Sequence, residues 1–372
     1  MCLDDRYKMI DTLIRIETRN DKETRRKSMK LIRTEDAVGH ILCHDITQII
    51  PGVTKDAVFR KGHIITKEDI PVLLSVGKEH IYIWEKDEHM LHENEAAQIL
   101  YEMCRNEHMH PSAVKEGKIE LIADCDGLFK VDREKLRKVN SLGEMMIATR
   151  HGNTFVKKGD KLAGTRIIPL VIEKEKMERA KEICNDGSIL EIKPLQPKKA
   201  AILTTGSEVY HGRIQDKFTP VLVEKLKEYG SEVIFHEIYD DDHEAITKGC
   251  LSAIEQGAEL VLCTGGMSVD PDDKTPLAIK NTGARIVSYG APVLPGAMFL
   301  VSYYEYKDKT IPIVGLPGCV MYAKRTIFDL ALPRLLADDF ITAEELALLG
   351  EGGLCLNCPV CTYPNCGFGK GW

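Results

Sequence analysis

The segment Thr264-Gly265-Gly266-Met267-Ser268-Val269-Asp270-Pro271-Asp272-Asp273-Lys274-Thr275-Pro276 holds the densest chemistry in this 372-residue chain. It follows Leu260-Val261-Leu262-Cys263, an apolar run that reads as a buried strand. Adjacent glycines at the C-terminal end of a strand let backbone approach a ligand closely, and their N–H groups can hold an anion. Asp270, Asp272 and Asp273 follow at once. Carboxylates repel phosphate unless a cation or a transferable proton intervenes. The pattern therefore predicts an anionic ligand handled with a divalent cation such as Mg²⁺. A glycine turn leading into a solvated acidic loop is the plain alternative.

The elements that must position this loop are legible on both sides of it. Upstream, Ala200-Ala201-Ile202-Leu203-Thr204 reads as a second strand, and it runs into Thr205-Gly206-Ser207-Glu208. A helix is expected next, with Thr219 as its cap, Pro220 in its first turn and Val221, Leu222, Leu226 and Tyr229 on its apolar face. Glu232 to Ile238 reads as a strand. Asp240-Asp241-Asp242 then opens a helix that turns Ala245, Ile246, Cys250, Leu251 and Ile254 inward. Residues 198–340 thus alternate strand and helix, which predicts an α/β domain in three layers with a mostly parallel sheet. In such sheets ligands bind at the C-terminal edge of the strands. Both glycine loops and the Asp run fall at that edge.

Taken together, Thr205-Gly206-Ser207-Glu208, the Asp run, Thr264-Gly265-Gly266-Met267-Ser268-Val269 and Gly315-Leu316-Pro317-Gly318 resemble the molybdopterin-binding domain shared by molybdopterin adenylyltransferase, molybdopterin molybdenumtransferase and gephyrin. Asp273-Lys274-Thr275-Pro276 resembles the Asp-x-Thr-Pro of the adenylyltransferase branch. Gly265 to Asp273 resembles Gly-Gly-Val-Ser-Val-Gly-x-x-Asp of the molybdenumtransferase branch, with Met and Asp substituted. Both alignments put the functional aspartate on Asp273. A second falls on Asp241, with Asp242 as an alternative register. Further upstream, residues 61–77 and 35–42 resemble the molybdenumtransferase segments that precede its catalytic domain. Its Ser-Ala-Met-Asp-Gly-Tyr-Ala motif has no counterpart in these 372 residues, and Cys319-Val320 stands where Asn-Pro would follow Leu-Pro-Gly.

The resemblance implies a molybdenumtransferase-like transferase in molybdenum cofactor biosynthesis, working on molybdopterin or its adenylated form with Mg²⁺ and molybdate. Gly265, Gly266 and Ser268 would bind phosphate, with Met267, Asp272 and Thr275 in the same loop. Thr205, Gly206, Ser207 and Glu208 would orient the pterin or nucleotide, Arg213 would meet phosphate, and Pro317 and Gly318 would complete the edge. Asp273 and Asp241 would hold metal or position the attacking oxygen. A homo-oligomer and a molybdoenzyme partner are further implications. The competence-damage-inducible family offers another reading, nucleotide pyrophosphate hydrolysis. It is similar at Gly206-x-Glu208-x3-Gly212-x-Ile214-x-Asp216 and at Asp272-Asp273-x-Thr275. A non-enzymatic cofactor carrier or sensor is the third.

Composition bounds these readings. Hydrophobic residues make up 44% and charged residues 29%, as in a soluble globular chain. The net charge of −7 gives no electrostatic case for nucleic acid. No apolar run is long enough for a membrane span or a signal core, so a cytoplasmic location is expected. The expected order is an extension over 1–28, read as disordered, then a small α/β domain over 29–90. A helix plus β-rich accessory domain over 91–195, the molybdopterin-binding domain over 196–340 and a Cys-rich tail over 341–372 follow. His89, His92, His108 and His110 read as exposed helix or loop residues. In the tail, Cys355, Cys358, Cys361 and Cys366 form Cys-x2-Cys-x2-Cys-x4-Cys. The first three have ferredoxin-like spacing, so an iron–sulfur cluster is expected, with zinc as the alternative.

Overall fold

The computed structural model describes residues 29–50, 54–84 and 88–371. The extension expected over 1–28 lies outside the described residues. The chain divides into two compact units. One takes residues up to 122 with 132–150 and 161–190; the other takes 123–131, 151–160 and 191–372.

In the first unit, strand Met29–Arg33 pairs antiparallel with His80–Trp84, and Ile46–Ile50 with Thr54–Phe59. A small core of Ala37, Leu42, Ile46, Ile65, Leu73 and Ile81 accompanies them. A four-stranded sheet runs in the order Met109–Pro111, Ile119–Ala123, Lys161–Ile167, Met145–Thr149. His92 departs from the exposed position expected of it. It is 4% exposed and caps the helix Glu93–Cys104, its Nδ1 accepting from Asn94 N at 3.3 Å while Nε2 donates to Cys43 O at 2.9 Å. Burial lowers its pKa, which keeps one nitrogen free to accept.

The second unit carries a six-stranded mixed sheet. Its elements in chain order are β1 (Lys199–Thr205), α1 (Ser207–Tyr210), α2 (Phe218–Lys227), β2 (Glu232–Tyr239), α3 (His243–Glu255) and β3 (Leu260–Thr264). After them come α4 (Thr275–Asn281), β4 (Arg285–Tyr289), β5 (Leu300–Tyr306), β6 (Lys309–Leu316), α5 (Ile327–Leu336) and α6 (Ala343–Leu348). The strand order is β2-β1-β3-β6-β5-β4. β1 pairs parallel with β2 and β3, and β3 with β6. β5 pairs antiparallel with both β6 and β4.

Period-two alternation explains the three layers. Ala200, Ile202, Leu260, Leu262, Val314 and Leu316 point to one face, against Leu222 and Leu226 of α2 and Phe328 and Leu332 of α5. Ala201, Leu203, Val261, Cys263, Ile311 and Ile313 point to the other, against Ile246 and Cys250 of α3 and Ile279 of α4. A sheet covered on both faces needs near-continuous apolar strands, as Leu260 to Cys263 show. Each fully buried aliphatic side chain contributes roughly 1.5–3 kcal/mol. No helix among the described residues is long and apolar enough to cross a membrane.

Candidate functional site

The chain leaves β1 for β2 on one side of it and returns to β3 on the other, so a topological switch point lies between the C-terminal ends of β1 and β3. This is where an open α/β sheet forms its crevice. The register is direct: Thr204 is opposite Thr264, Thr205 opposite Tyr239, and Thr264 opposite Leu316. The segments that follow these residues therefore emerge along one edge. They are Gly206-Ser207, Asp240-Asp241, Gly265-Gly266 and Pro317-Gly318.

Close approach makes both glycines of the central loop necessary. Gly265 has φ +82°, and a Cβ there would meet the Thr205 carbonyl oxygen at 2.1 Å. Gly266 has φ +52°, and its Cβ would meet Thr275 Oγ1 at 2.8 Å. The loop is bolted to its neighbours: Thr205 Oγ1 and Thr275 Oγ1 share a hydrogen bond of 2.9 Å, and Thr275 N donates to Gly266 O at 3.2 Å. Gly265→Ala is expected to destabilise this unit by at least about 2 kcal/mol, since the left-handed backbone strain and the backbone clash add. Thermal unfolding measures the loss; a variant with unchanged Tm would mean that β1 and the loop part easily.

The acidic residues divide by task. Asp242 is the N-cap of α3 and accepts from Glu244 N at 2.9 Å. Asp241 instead meets the β1 loop, its Oδ2 accepting from Ser207 N at 3.0 Å and Ser207 Oγ at 3.1 Å. Asp240 accepts from Ser207 Oγ at 2.7 Å and from Asp241 N at 2.9 Å; these bonds, with nearby His211 and Arg213, hold its pKa low. Asp273 is half-buried, and its N–H closes a turn onto Asp270 O at 3.0 Å. Ser268, Asp270 and Asp272 are exposed, as are Glu208, Arg213 and Gly318, while Pro317 is buried.

Two residues from the sequence reading occupy scaffold positions. Met267 is 4% exposed and sits in the core beneath the loop, where a Cβ on Gly315 would be 2.5 Å from its Cε. Asp216 anchors the start of α2, accepting from Phe218 N at 2.8 Å, Thr219 N at 3.1 Å, Thr219 Oγ1 at 2.5 Å and Thr204 Oγ1 at 3.0 Å. Burial alone would raise its pKa, but these donors bring it below the usual value. Thr219, expected as the cap, lies inside the helix, whose cap position is Lys217; the Asp216 side chain accepts from the first-turn N–H groups instead.

Tyr289 was not anticipated. Its hydroxyl lies 2.9 Å from Met267 O and 3.2 Å from Ser268 O, so it can pin the glycine loop from β4. Burial and then the charge of Asp273 raise its pKa, which keeps it a donor. Its motif-free setting gave no signal. Thr264 Oγ1, fully buried at the end of β3, has no hydrogen-bond partner among the described residues. A buried orphan hydroxyl at a ligand edge is a group that ligand or ordered water satisfies.

Among the described residues, no three His, Cys, Asp or Glu side chains are grouped so as to hold a metal ion. Mg²⁺ does not require such a cage. It keeps most of its waters and binds through one or two carboxylates plus substrate phosphate. Asp241 and Asp273, hard oxygen donors at the edge, suit that chemistry. Cys355, Cys358, Cys361 and Cys366 lie around a cavity of about 390 Å³ lined largely by the C-terminal segment.

Residues 201–337 match the family described as a probable molybdopterin binding domain, and residues 31–85 match one described as a domain of unknown function. A molybdopterin adenylyltransferase of Pyrococcus furiosus is 27% identical over 135 residues, which is 36% of this chain and 76% of that protein. A putative competence-damage inducible protein of Bacillus subtilis is 32% identical over 89 residues, 24% of this chain. The chain spans only 21% of that relative's length. Among solved structures, the tungsten cofactor synthesizing protein MoaB from Pyrococcus furiosus is 21% identical, with a TM-score of 0.30 over 33% of this chain and 84% of that one. A molybdenum cofactor biosynthesis protein from the same organism is 12% identical, with a TM-score of 0.25 over 83% of this chain and 63% of that one.

Proposed function

We propose that this chain binds molybdopterin, or its adenylated form, in molybdenum cofactor synthesis, a reading that starts from the match of residues 201–337 to the family described as a probable molybdopterin binding domain. The observation that carries the reading is the single edge where the two glycine loops and Asp241 emerge beside the switch point. The reaction it supports is cleavage of the phosphoanhydride of adenylated molybdopterin as molybdate enters the dithiolene, a molybdenumtransferase-like step.

Each residue has a task in that reading. The N–H groups of Gly265 and Gly266 and the Ser268 hydroxyl bind phosphate. Ser207, held by Asp240 and Asp241, orients the pterin or nucleotide with Thr205 and Glu208. Arg213 offsets phosphate charge. Asp273 and Asp241 hold Mg²⁺ or position the attacking oxygen, and Mg²⁺ bound there supplies neutralisation of the phosphoanhydride charge. Tyr289 keeps the loop in place, and Thr264 Oγ1 finds a partner in ligand or its water.

Calorimetry with purified ligands tests this. Molybdopterin and its adenylated form are expected to bind at least about tenfold more tightly than ATP, a difference of roughly 1.4 kcal/mol. Tighter binding of NAD or ADP-ribose would instead favour nucleotide pyrophosphate hydrolysis, the reading that the competence-damage relatives support.

A further inference from the structure

Among the described residues, the chain beyond α6 forms no helix or strand, yet the loop it makes is fixed at both ends. Leu294 N donates to Gly353 O, and Cys355 N donates back to Leu294 O, each at 2.8 Å. At the far end Phe368 is 4% exposed in the core of the second unit, and Gly369 N donates to Gly352 O at 3.0 Å. Residues 352–369 are thus a loop closed at its neck.

This loop has little core of its own. Leu356 and Val360 are 79% and 77% exposed. Small segments that cannot bury a core are commonly organised by disulfides or metal. The described cysteines are all free thiols. Cys355, Cys358, Cys361 and Cys366 line one cavity of about 390 Å³. Lys324 and Arg325 are in the same wall, and no carboxylate is. Lys324 Nζ donates to Cys358 O at 3.3 Å and Pro359 O at 3.1 Å. Arg325 contacts Cys361, pairs with Asp329 at 2.8 Å and lies over the Tyr363 ring at 5.0 Å. Tyr363 in turn donates to Asp329 O at 3.0 Å. A wall of four thiols with two positioned cations suits a group that is anionic once its thiolates are counted.

The kind of group follows from the spacing. Structural zinc is normally held by two separated Cys-x2-Cys pairs. Here three cysteines stand at successive Cys-x2-Cys intervals with a fourth close behind, and all four line the same cavity. That run of thiolates is the kind that holds a cubic iron–sulfur cluster. We propose that Cys355, Cys358, Cys361 and Cys366 hold an iron–sulfur cluster of the four-iron type. Each thiol loses its proton on binding, and Lys324 and Arg325 offset the resulting charge.

The full chain, purified anaerobically, is expected to carry about four iron and four acid-labile sulfide per chain. It should show a broad visible absorption that bleaches on reduction. The double substitution Cys358→Ser with Cys361→Ser changes two exposed side chains, so circular dichroism should remain native while iron falls at least about tenfold. Cys125→Ser, outside the cavity, should keep its iron. One zinc per chain without sulfide, a metal-free anaerobic protein, or full iron in the folded double variant would each overturn the proposal. The readout is metal content, so it stands or falls separately from molybdopterin binding.

Discussion

Asp273→Asn is expected to leave the chain folded and to remove Mg²⁺-dependent turnover of adenylated molybdopterin by on the order of 10²-fold or more. Folding survives because the contact that shapes the loop here is made by backbone: the Asp273 N–H closes onto Asp270 O whichever side chain is present. Asparagine keeps the size and one oxygen, but it loses the charge that draws a divalent cation toward phosphate. Asp308→Asn is the control, because Asp308 is exposed in the turn before β6, at the opposite end of that strand from Pro317-Gly318. Its effect should be within about threefold, the range expected of a distant screened charge. Turnover as a function of Mg²⁺ concentration measures both. Equal turnover by Asp273→Asn and the unaltered chain would reduce the Asp270-to-Asp273 segment to a solvated loop and leave the domain a carrier.

Much of the α/β domain was legible because its signals are local. Leu260 to Cys263 and Ala200 to Thr204 are short apolar runs ended by Gly-rich loops, and they became β3 and β1, neighbours inside the sheet. The Asp run was legible as a helix start, yet its internal division was not. Asp241 and Asp242 have the same chemistry, and only the fold turns Asp242 to the α3 N-terminus and Asp241 to Ser207. Asp216, singled out in the segment similar to the competence-damage-inducible family, anchors a helix, and a helix-anchoring aspartate and a ligand-binding one look alike in sequence. The β5–β6 hairpin was also hidden. Its turn is Lys307-Asp308, with Lys307 at φ +54°, where a glycine or asparagine would have announced it. Pairing of Gly127–Val131 with Thr154–Val156, and the place of both in the second unit, depend on contacts far apart in sequence. No periodicity encodes that.

Such distant contacts also set the largest expected loss of stability. Asp339 is 7% exposed and accepts from Arg334 Nε at 2.6 Å, Lys130 Nζ at 2.8 Å and Lys193 Nζ at 2.7 Å. Arg334 also donates to Glu345 Oε1 and Oε2 at 2.9 Å and to Phe340 O at 2.9 Å. Asp339→Ala leaves the cations together with the buried Arg334 short of its partner. A loss on the order of 3–5 kcal/mol is expected, because Lys130 and Lys193 lose this carboxylate and the buried Arg334 keeps only that of Glu345. Acid should reproduce part of it. Burial by itself would raise the Asp339 pKa, but Arg334, Lys130 and Lys193 overcome that and bring it down to about 2 from 3.8. A depressed carboxylate pKa contributes stability above the unfolded value and loses it as pH falls through the folded one. The window therefore runs from 3.8 down to about 2, and the contribution is roughly 2 kcal/mol. Denaturant unfolding across this range should show that slope in the unaltered chain and a shallower one in Asp339→Ala. A loss below about 1 kcal/mol, with parallel acid slopes, would mean that water rather than Asp339 satisfies Arg334.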